Sequence, residues 1–190
     1  MEAFLVSLST VAIAEMGDRT QLLALVLAAR YRKPWPIVAG VLCATVVSHG
    51  VAGYVGQRLG HFLTPGRLDA VVGISMIGMA LWTLKPDTLH EKDETGGSTS
   101  AFVATCIGFF IAEIGDKTQI ATMALAAAYP SLVSVVAGST LGMLTANVPV
   151  VFLGNAFSKR LPLKAIHVIA SLLFVVLGAL FLWRAFQQGL

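Results

Sequence analysis

Long apolar stretches separated by short polar turns run through the whole 190-residue chain. Each stretch is close to the length of about 20 residues that a helix needs to cross the hydrocarbon core of a bilayer. The stretches cover residues 3–29, 36–57, 68–84, 100–128, 132–157 and 163–186. Pro and Gly residues in the turns between them are typical of breaks between helices. The pattern predicts an all-α membrane protein with six transmembrane helices.

The composition supports a membrane protein and narrows the classes of function. Hydrophobic residues make up 56% of the chain and charged residues only 12%, whereas an ordinary soluble domain carries about 25% charge. Six spans with short loops use nearly the whole length, so no separate soluble catalytic domain fits beside them. The net charge of +3 comes mostly from turns that flank apolar stretches, so we predict no nucleic-acid partner.

Basic residues in the turns predict the orientation of the chain. If the amino terminus lies outside, the cytoplasmic side carries eight basic residues, which are Arg30, Arg32, Lys33, Lys85, Lys92, Lys159, Arg160 and Lys164. The outer side then carries three, which are Arg58, Arg67 and Arg184. Because basic residues concentrate in cytoplasmic loops, we predict a multi-pass protein of the bacterial inner membrane with both termini outside the cytoplasm.

A repeat divides the chain into two halves. The segment 15–21, EMGDRTQ, recurs at 113–119 as EIGDKTQ, an offset of 98 residues. The same offset matches the VAG of 38–40 with that of 136–138. The predicted domains are a first three-helix repeat at 1–85, a cytoplasmic polar linker at 86–99 and a second three-helix repeat at 100–190.

Three spans per half have a consequence for topology. Because three is odd, the second half enters the membrane from the opposite side, which gives an inverted-topology repeat. Such repeats place a substrate site at their interface near the middle of the membrane and work by alternating access. The repeat therefore favours a transporter.

Two pairs of acidic residues are the candidate metal ligands. Glu15 and Asp18 are three residues apart, as are Glu113 and Asp116, so on continuous helices each pair shares one face. A carboxylate in the middle of a span is costly unless it faces the bundle interior, water or a partner. Oxygen ligands suit Ca²⁺ and Mn²⁺, so we predict that these four acids bind a divalent cation.

Basic residues beside the acids are the predicted charge partners. Arg19 and Lys117 follow Glu15 and Glu113 by four residues, a spacing that permits an ion pair within one helix. Four carboxylates and two basic groups leave two negative charges, which one divalent cation or two protons neutralise. This balance motivates a hypothesis of metal/proton exchange, although a uniporter could have the same charges.

Neutral polar residues are candidates for further ligands or for hydrogen bonds that support the acids, with ordinary helix–helix contacts as the alternative. They are Thr20, Gln21, Thr118, Gln119, Ser48 and Asn147. His49, which the repeat aligns with Asn147, is a candidate proton relay or metal ligand. Gly17 and Gly115 indicate either close helix approach or a break in the span, and the sequence leaves both open.

The two motifs also resemble a known family. Two copies of E-x-G-D-[KR]-[ST], at 15–20 and 113–118, in a chain of this length are similar to bacterial manganese exporters of the MneA type and to the Golgi calcium/manganese-proton antiporters. The resemblance implies export of Mn²⁺, and of Ca²⁺ as a second candidate, by proton-coupled secondary transport. The metal is then the substrate, no cofactor is implied, and the acids of both motifs are the functional residues.

Three other functions compete with this interpretation. An exporter of a small organic cation, such as a basic amino acid, is compatible with the excess of carboxylates. A channel with an acidic ring is also compatible. An intramembrane aspartyl protease is less favoured, because Glu15 and Glu113 stand where the G-x-G-D motif of those enzymes has its first glycine, and Tyr54 is not followed by an Asp.

Overall fold

A computed structural model describes residues 1–84, 100–153 and 163–189, and within these ranges the regular elements are eight α-helices. They are α1 (Glu2–Glu15), α2 (Arg19–Tyr31), α3 (Pro34–Gly60), α4 (Pro65–Thr83), α5 (Ala101–Glu113), α6 (Lys117–Ala128), α7 (Leu132–Leu153) and α8 (Leu163–Gln187). The all-α prediction is confirmed for this part of the chain. The predicted linker 86–99 lies outside it, as do Lys85, Lys159 and Arg160.

The first apolar stretch of each half is a pair of short helices and not one long helix. Residues 16–18 separate α1 from α2, and residues 114–116 separate α5 from α6. Gly17 and Gly115, in the middle of these segments, have φ values of 82° and 72°. Only glycine adopts such values without steric cost, so each glycine interrupts its helix. The backbone is continuous, and segments 16–18 and 114–116 are named the chain breaks because the helix breaks there.

Three of the helices are long and apolar enough to cross a membrane on length and composition alone. They are α3, α7 and, within α8, residues His167–Gln187. The helix α4 has 19 residues, and the four half-helices α1, α2, α5 and α6 have 12 to 14 each. The six-span arrangement therefore remains a prediction.

One long helix of each half packs along the broken pair of the other half. The helix α7 contacts both α1 and α2, and α3 contacts both α5 and α6. The helices α4 and α8 pack against each other, and together they lie on α1 and α6. Two apolar cores result, one among α1, α2, α3, α5 and α7 and one that joins α4 and α8 to α1 and α6.

Close contacts at glycines fix the relative directions of α1 and α7. Gly138 packs against the backbone of Phe4, and Gly142 packs against that of Leu8. Residue numbers at these contacts increase together along α7 and α1, so the two helices run parallel. Glycine lets the two backbones approach closely, as in many membrane helix pairs.

The equivalent helices of the other half also run parallel. Gly40 of α3 packs against the start of α5, at Phe102, and Thr45 reaches Glu113 at the end of α5. The helices α3 and α7 are antiparallel, because Gly53 and His49 meet Val136 and Ser139 in reverse order. It follows that α1 and α5, the equivalent first helices of the two halves, run in opposite directions.

Candidate cation site at the two chain breaks

A glutamine side chain spans each chain break. Gln21 Oε1 accepts a hydrogen bond from the Gly17 backbone N–H at 2.9 Å, and Gln119 Oε1 accepts one from Gly115 N–H at 2.8 Å. Their amide groups donate across the bundle, from Gln21 to the carbonyl of Ala146 and from Gln119 to Ser48 Oγ. Because both Oε1 atoms are committed to backbone N–H groups, these glutamines support the breaks.

The aspartates begin the second helix of each broken pair. Asp18 caps α2 by accepting from the backbone N–H of Arg19 at 2.7 Å. Asp116 caps α6 by accepting from the backbone N–H and the Oγ1 hydroxyl of Thr118, at 3.2 Å and 2.9 Å. Helix N-termini stabilise carboxylates, so each chain break supplies a backbone N–H donor to a buried aspartate.

Each basic residue forms an ion pair with the aspartate of the other motif. Lys117 Nζ lies 3.1 Å from Asp18 Oδ1, and Arg19 Nη2 lies 3.3 Å from Asp116 Oδ1. The predicted ion pair of Arg19 with Glu15 is wrong, because a chain break separates the partners that a continuous helix would have brought together. Two ion pairs therefore join the two halves of the protein.

Three of the four predicted metal ligands form one cluster. Glu15, Asp18 and Asp116 each offer a carboxylate oxygen, and these oxygens lie within 4.8 Å of one another. All three residues are buried. Glu113 is not part of this group. The prediction that the two acids of a motif share a helix face is wrong, because Glu15 ends α1 while Asp18 precedes α2.

The two glutamates are held by polar residues of the long helices. Asn147 Nδ2 donates to Glu15 Oε1 at 3.3 Å. The offset of 98 relates this contact to one in the other half, where His49 Nε2 lies 3.6 Å from Glu113 Oε2. Thr45 Oγ1 also donates to Glu113 Oε1, at 2.9 Å. Sequence reasoning missed Thr45, although its position one helical turn before His49 places both on one face of α3.

Several buried polar atoms of the predicted site residues lack a hydrogen-bond partner among the described residues. They are Glu15 Oε2, Glu113 Oε2, Thr20 Oγ1, Asn147 Oδ1 and His49 Nε2. A buried polar group without a partner costs about 1–3 kcal/mol, and native proteins contain few of them. A cation bound beside the carboxylates would satisfy atoms of this kind.

The positive φ of the break glycines leads to a stability prediction. We expect Gly115→Ala to destabilise the protein by about 1–2 kcal/mol, because alanine pays for the left-handed conformation. Gly78→Ala in α4 is the matched control, since its added Cβ also has no heavy atom within 4 Å but enters an ordinary helix. Thermal unfolding in detergent compares the two variants. Equal melting temperatures would show that the break does not need glycine.

The chain is similar to known proteins whose names describe cation transport. A sequence model described as "Divalent cation/proton antiporter GDT1" matches residues 3–91 and 101–189. A protein of Vibrio cholerae serotype O1 named "Putative manganese exporter" is 46% identical over 94% of this chain and 89% of its own length. The yeast "Divalent cation/proton antiporter GDT1" is 22% identical over 98% of this chain and 85% of its own length. No solved structure matches the chain.

These matches confirm the predicted family resemblance and several coarser predictions. The family consists of transporters and not of enzymes, so the aspartyl protease alternative is rejected. The family model describes exchange of divalent cations for protons. The long apolar helices of the structure fit a protein that lies in a membrane. The chain belongs to the divalent cation/proton antiporter GDT1 family.

Proposed function

We propose that this protein exports Mn²⁺ from the cytoplasm in exchange for protons, with Ca²⁺ as a second substrate. The cation binds between the two chain breaks, where Glu15, Asp18 and Asp116 converge, and Glu113 completes the charge of the site. The observation that carries the proposal is this buried cluster, built from both halves of the chain, in which Glu15 Oε2 has no hydrogen-bond partner among the described residues.

The ion pairs indicate which negative charges are left for the metal ion or the protons to neutralise. Lys117 and Arg19 compensate Asp18 and Asp116, whereas Glu15 accepts a hydrogen bond from the neutral side-chain amide of Asn147. Two negative charges in excess inside a bilayer are costly. One divalent cation or two protons remove the excess, so metal and protons compete for one site, and this competition is what an exchanger requires.

Six spans in two inverted repeats are the arrangement that we propose for the membrane. The opposite directions of α1 and α5, and the parallel pairs α1/α7 and α3/α5, support it. Each broken pair then forms one span whose break lies near the membrane midplane, as in transporters with discontinuous helices. The basic residues predict the orientation, with both termini outside the cytoplasm and the protein in the bacterial inner membrane.

The position of α4 and α8 supports alternating access. In the proposed orientation α1 and α6 are the outer halves of the broken spans, and α4 and α8 pack against those halves. Arg19, the first residue of the inner half α2, keeps 23% of its side chain exposed, whereas Lys117, the first residue of the outer half α6, keeps 1%. We infer a state closed to the outside, from which the cation leaves after α4 and α8 move towards α2 and α5.

Transport into reconstituted vesicles tests the function. The purified protein is placed in liposomes with an acidic interior, and uptake of Mn²⁺, Ca²⁺ and lysine is measured with the gradient intact and after a protonophore dissipates it. We expect Mn²⁺ to accumulate against its own gradient only while the proton gradient lasts, and lysine to remain at the level of protein-free liposomes.

Other outcomes of this experiment separate the alternatives. Mn²⁺ uptake that ignores the proton gradient would contradict exchange and indicate a uniporter or channel. Lysine uptake that exceeds Mn²⁺ uptake would replace the proposal with an exporter of organic cations. A flux of neither substrate above that of protein-free liposomes would contradict the transport proposal as a whole.

A further inference from the structure

The hydrogen bonds of His49 determine which of its ring nitrogens carries a proton. His49 is fully buried, and its Nδ1 lies 2.9 Å from Ser139 Oγ. The Ser139 hydroxyl also lies 3.2 Å from the carbonyl of Val136, to which it can donate its one proton. With the proton placed there, Ser139 accepts from the ring and Nδ1 carries the hydrogen. The lone pair of the neutral ring is then on Nε2, which faces Glu113.

Two acceptor atoms thus face each other inside the bundle. His49 Nε2 and Glu113 Oε2 are 3.6 Å apart, and neither has a hydrogen-bond partner among the described residues. This distance is too long for a hydrogen bond. It fits two ligands of one ion, because atoms at about 2.1–2.4 Å from a metal are spaced in this way when they are neighbours in its coordination shell.

We propose that His49 Nε2 is a nitrogen ligand of the transported cation and favours Mn²⁺ over Ca²⁺. The inference rests on the proposed function and names the substrate preference of the same site. Ca²⁺ is a hard ion that takes oxygen ligands, whereas imidazole binds transition-metal ions well. Ser139 acts through His49, because it holds the ring in the tautomer that a metal needs.

The repeat provides an internal comparison. Asn147 occupies the position of His49 in the other half, where its Nδ2 is held by Glu15 and Met143 and its Oδ1 has no partner among the described residues. That half of the site presents an amide oxygen, which suits Mn²⁺ and Ca²⁺ alike. A nitrogen ligand at this position therefore comes from the half that contains His49. The substitution His49→Asn makes the two halves chemically alike.

Spectroscopy of bound Mn²⁺ tests this assignment directly. Pulsed electron paramagnetic resonance detects the coupling of Mn²⁺ to a ligand nitrogen in the wild-type protein, so the result does not depend on a variant that folds poorly. We expect a histidine nitrogen coupling in the wild type that is absent in His49→Asn and retained in the control His61→Asn, whose side chain is exposed at the end of α3.

Binding measurements supply the selectivity. We expect His49→Asn to weaken Mn²⁺ binding by about tenfold or more, to leave Ca²⁺ binding within about twofold, and Ser139→Ala to weaken Mn²⁺ binding less. If wild-type vesicles transport Mn²⁺ but its spectrum has no nitrogen coupling, this inference is overturned and the proposed function stands. If the same vesicles do not transport Mn²⁺, the proposed function fails instead. Equal loss of Mn²⁺ and Ca²⁺ binding in His49→Asn would also overturn the inference.

Discussion

Glu15→Gln is expected to reduce Mn²⁺ transport by at least ~100-fold while the protein stays folded. The glutamate is fully buried, and its Oε2 has no hydrogen-bond partner among the described residues. Glutamine keeps the shape of the side chain and removes the charge that either a metal ion or a proton must neutralise. Because removal of an uncompensated charge also relieves a burial cost, we expect the variant to unfold at the same or a higher temperature than the wild type.

The control for this prediction lies on the same helix. Glu2 is exposed at the start of α1, where its carboxylate accepts a hydrogen bond from Tyr129, so Glu2→Gln makes the same chemical change far from the breaks. Transport into vesicles and thermal unfolding are measured for both variants. A Glu15→Gln protein that keeps half or more of the wild-type Mn²⁺ flux would contradict the assignment of this acid.

Lys117→Met is expected to have the largest effect on stability. The Lys117 side chain is 1% exposed and its ammonium lies 3.1 Å from the buried carboxylate of Asp18. Removal of one member of a buried ion pair costs about 3–5 kcal/mol, because the other charge stays in a medium of low dielectric constant. The measurement is the melting temperature in detergent, together with the fraction of the protein that elutes as a single species.

A double variant separates charge from packing. Lys117→Met combined with Asp18→Asn removes both charges, so we expect it to recover most of the lost stability but not transport. Arg19→Met is the comparison in the other ion pair, and its smaller expected loss follows from the 23% exposure of Arg19. If the double variant is no more stable than Lys117→Met alone, the ion pair is not the cause of the loss.

The sequence predicted candidate ligands but not their geometry. The repeated motif singled out the acids, because four carboxylates in apolar stretches need a specific reason to be there. It left the choice between a tilted and a broken span open, because Gly17 and Gly115 allow both. The positive φ values of these glycines show that the helices are broken, and the same break explains why Arg19 does not pair with Glu15 within one helix.

Contacts between the halves were beyond the reach of the sequence. The exchange of ion pairs between the motifs, and the contacts of Asn147 with Glu15 and His49 with Glu113, depend on how α3 and α7 pack against the broken helices. Spacing along one chain carries no information on that packing. The offset of 98 did relate Asn147 to His49, so the repeat predicted that these two positions correspond without identifying the acid that each contacts.

Proton release on metal binding shows whether metal and protons share one site, as we propose. Mn²⁺ is added to purified protein in weakly buffered detergent solution, and released protons are counted against bound metal. We expect release of up to about two protons per Mn²⁺, reduced in both Glu15→Gln and Glu113→Gln. Stoichiometric Mn²⁺ binding that releases no protons across the neutral pH range would contradict this proposal.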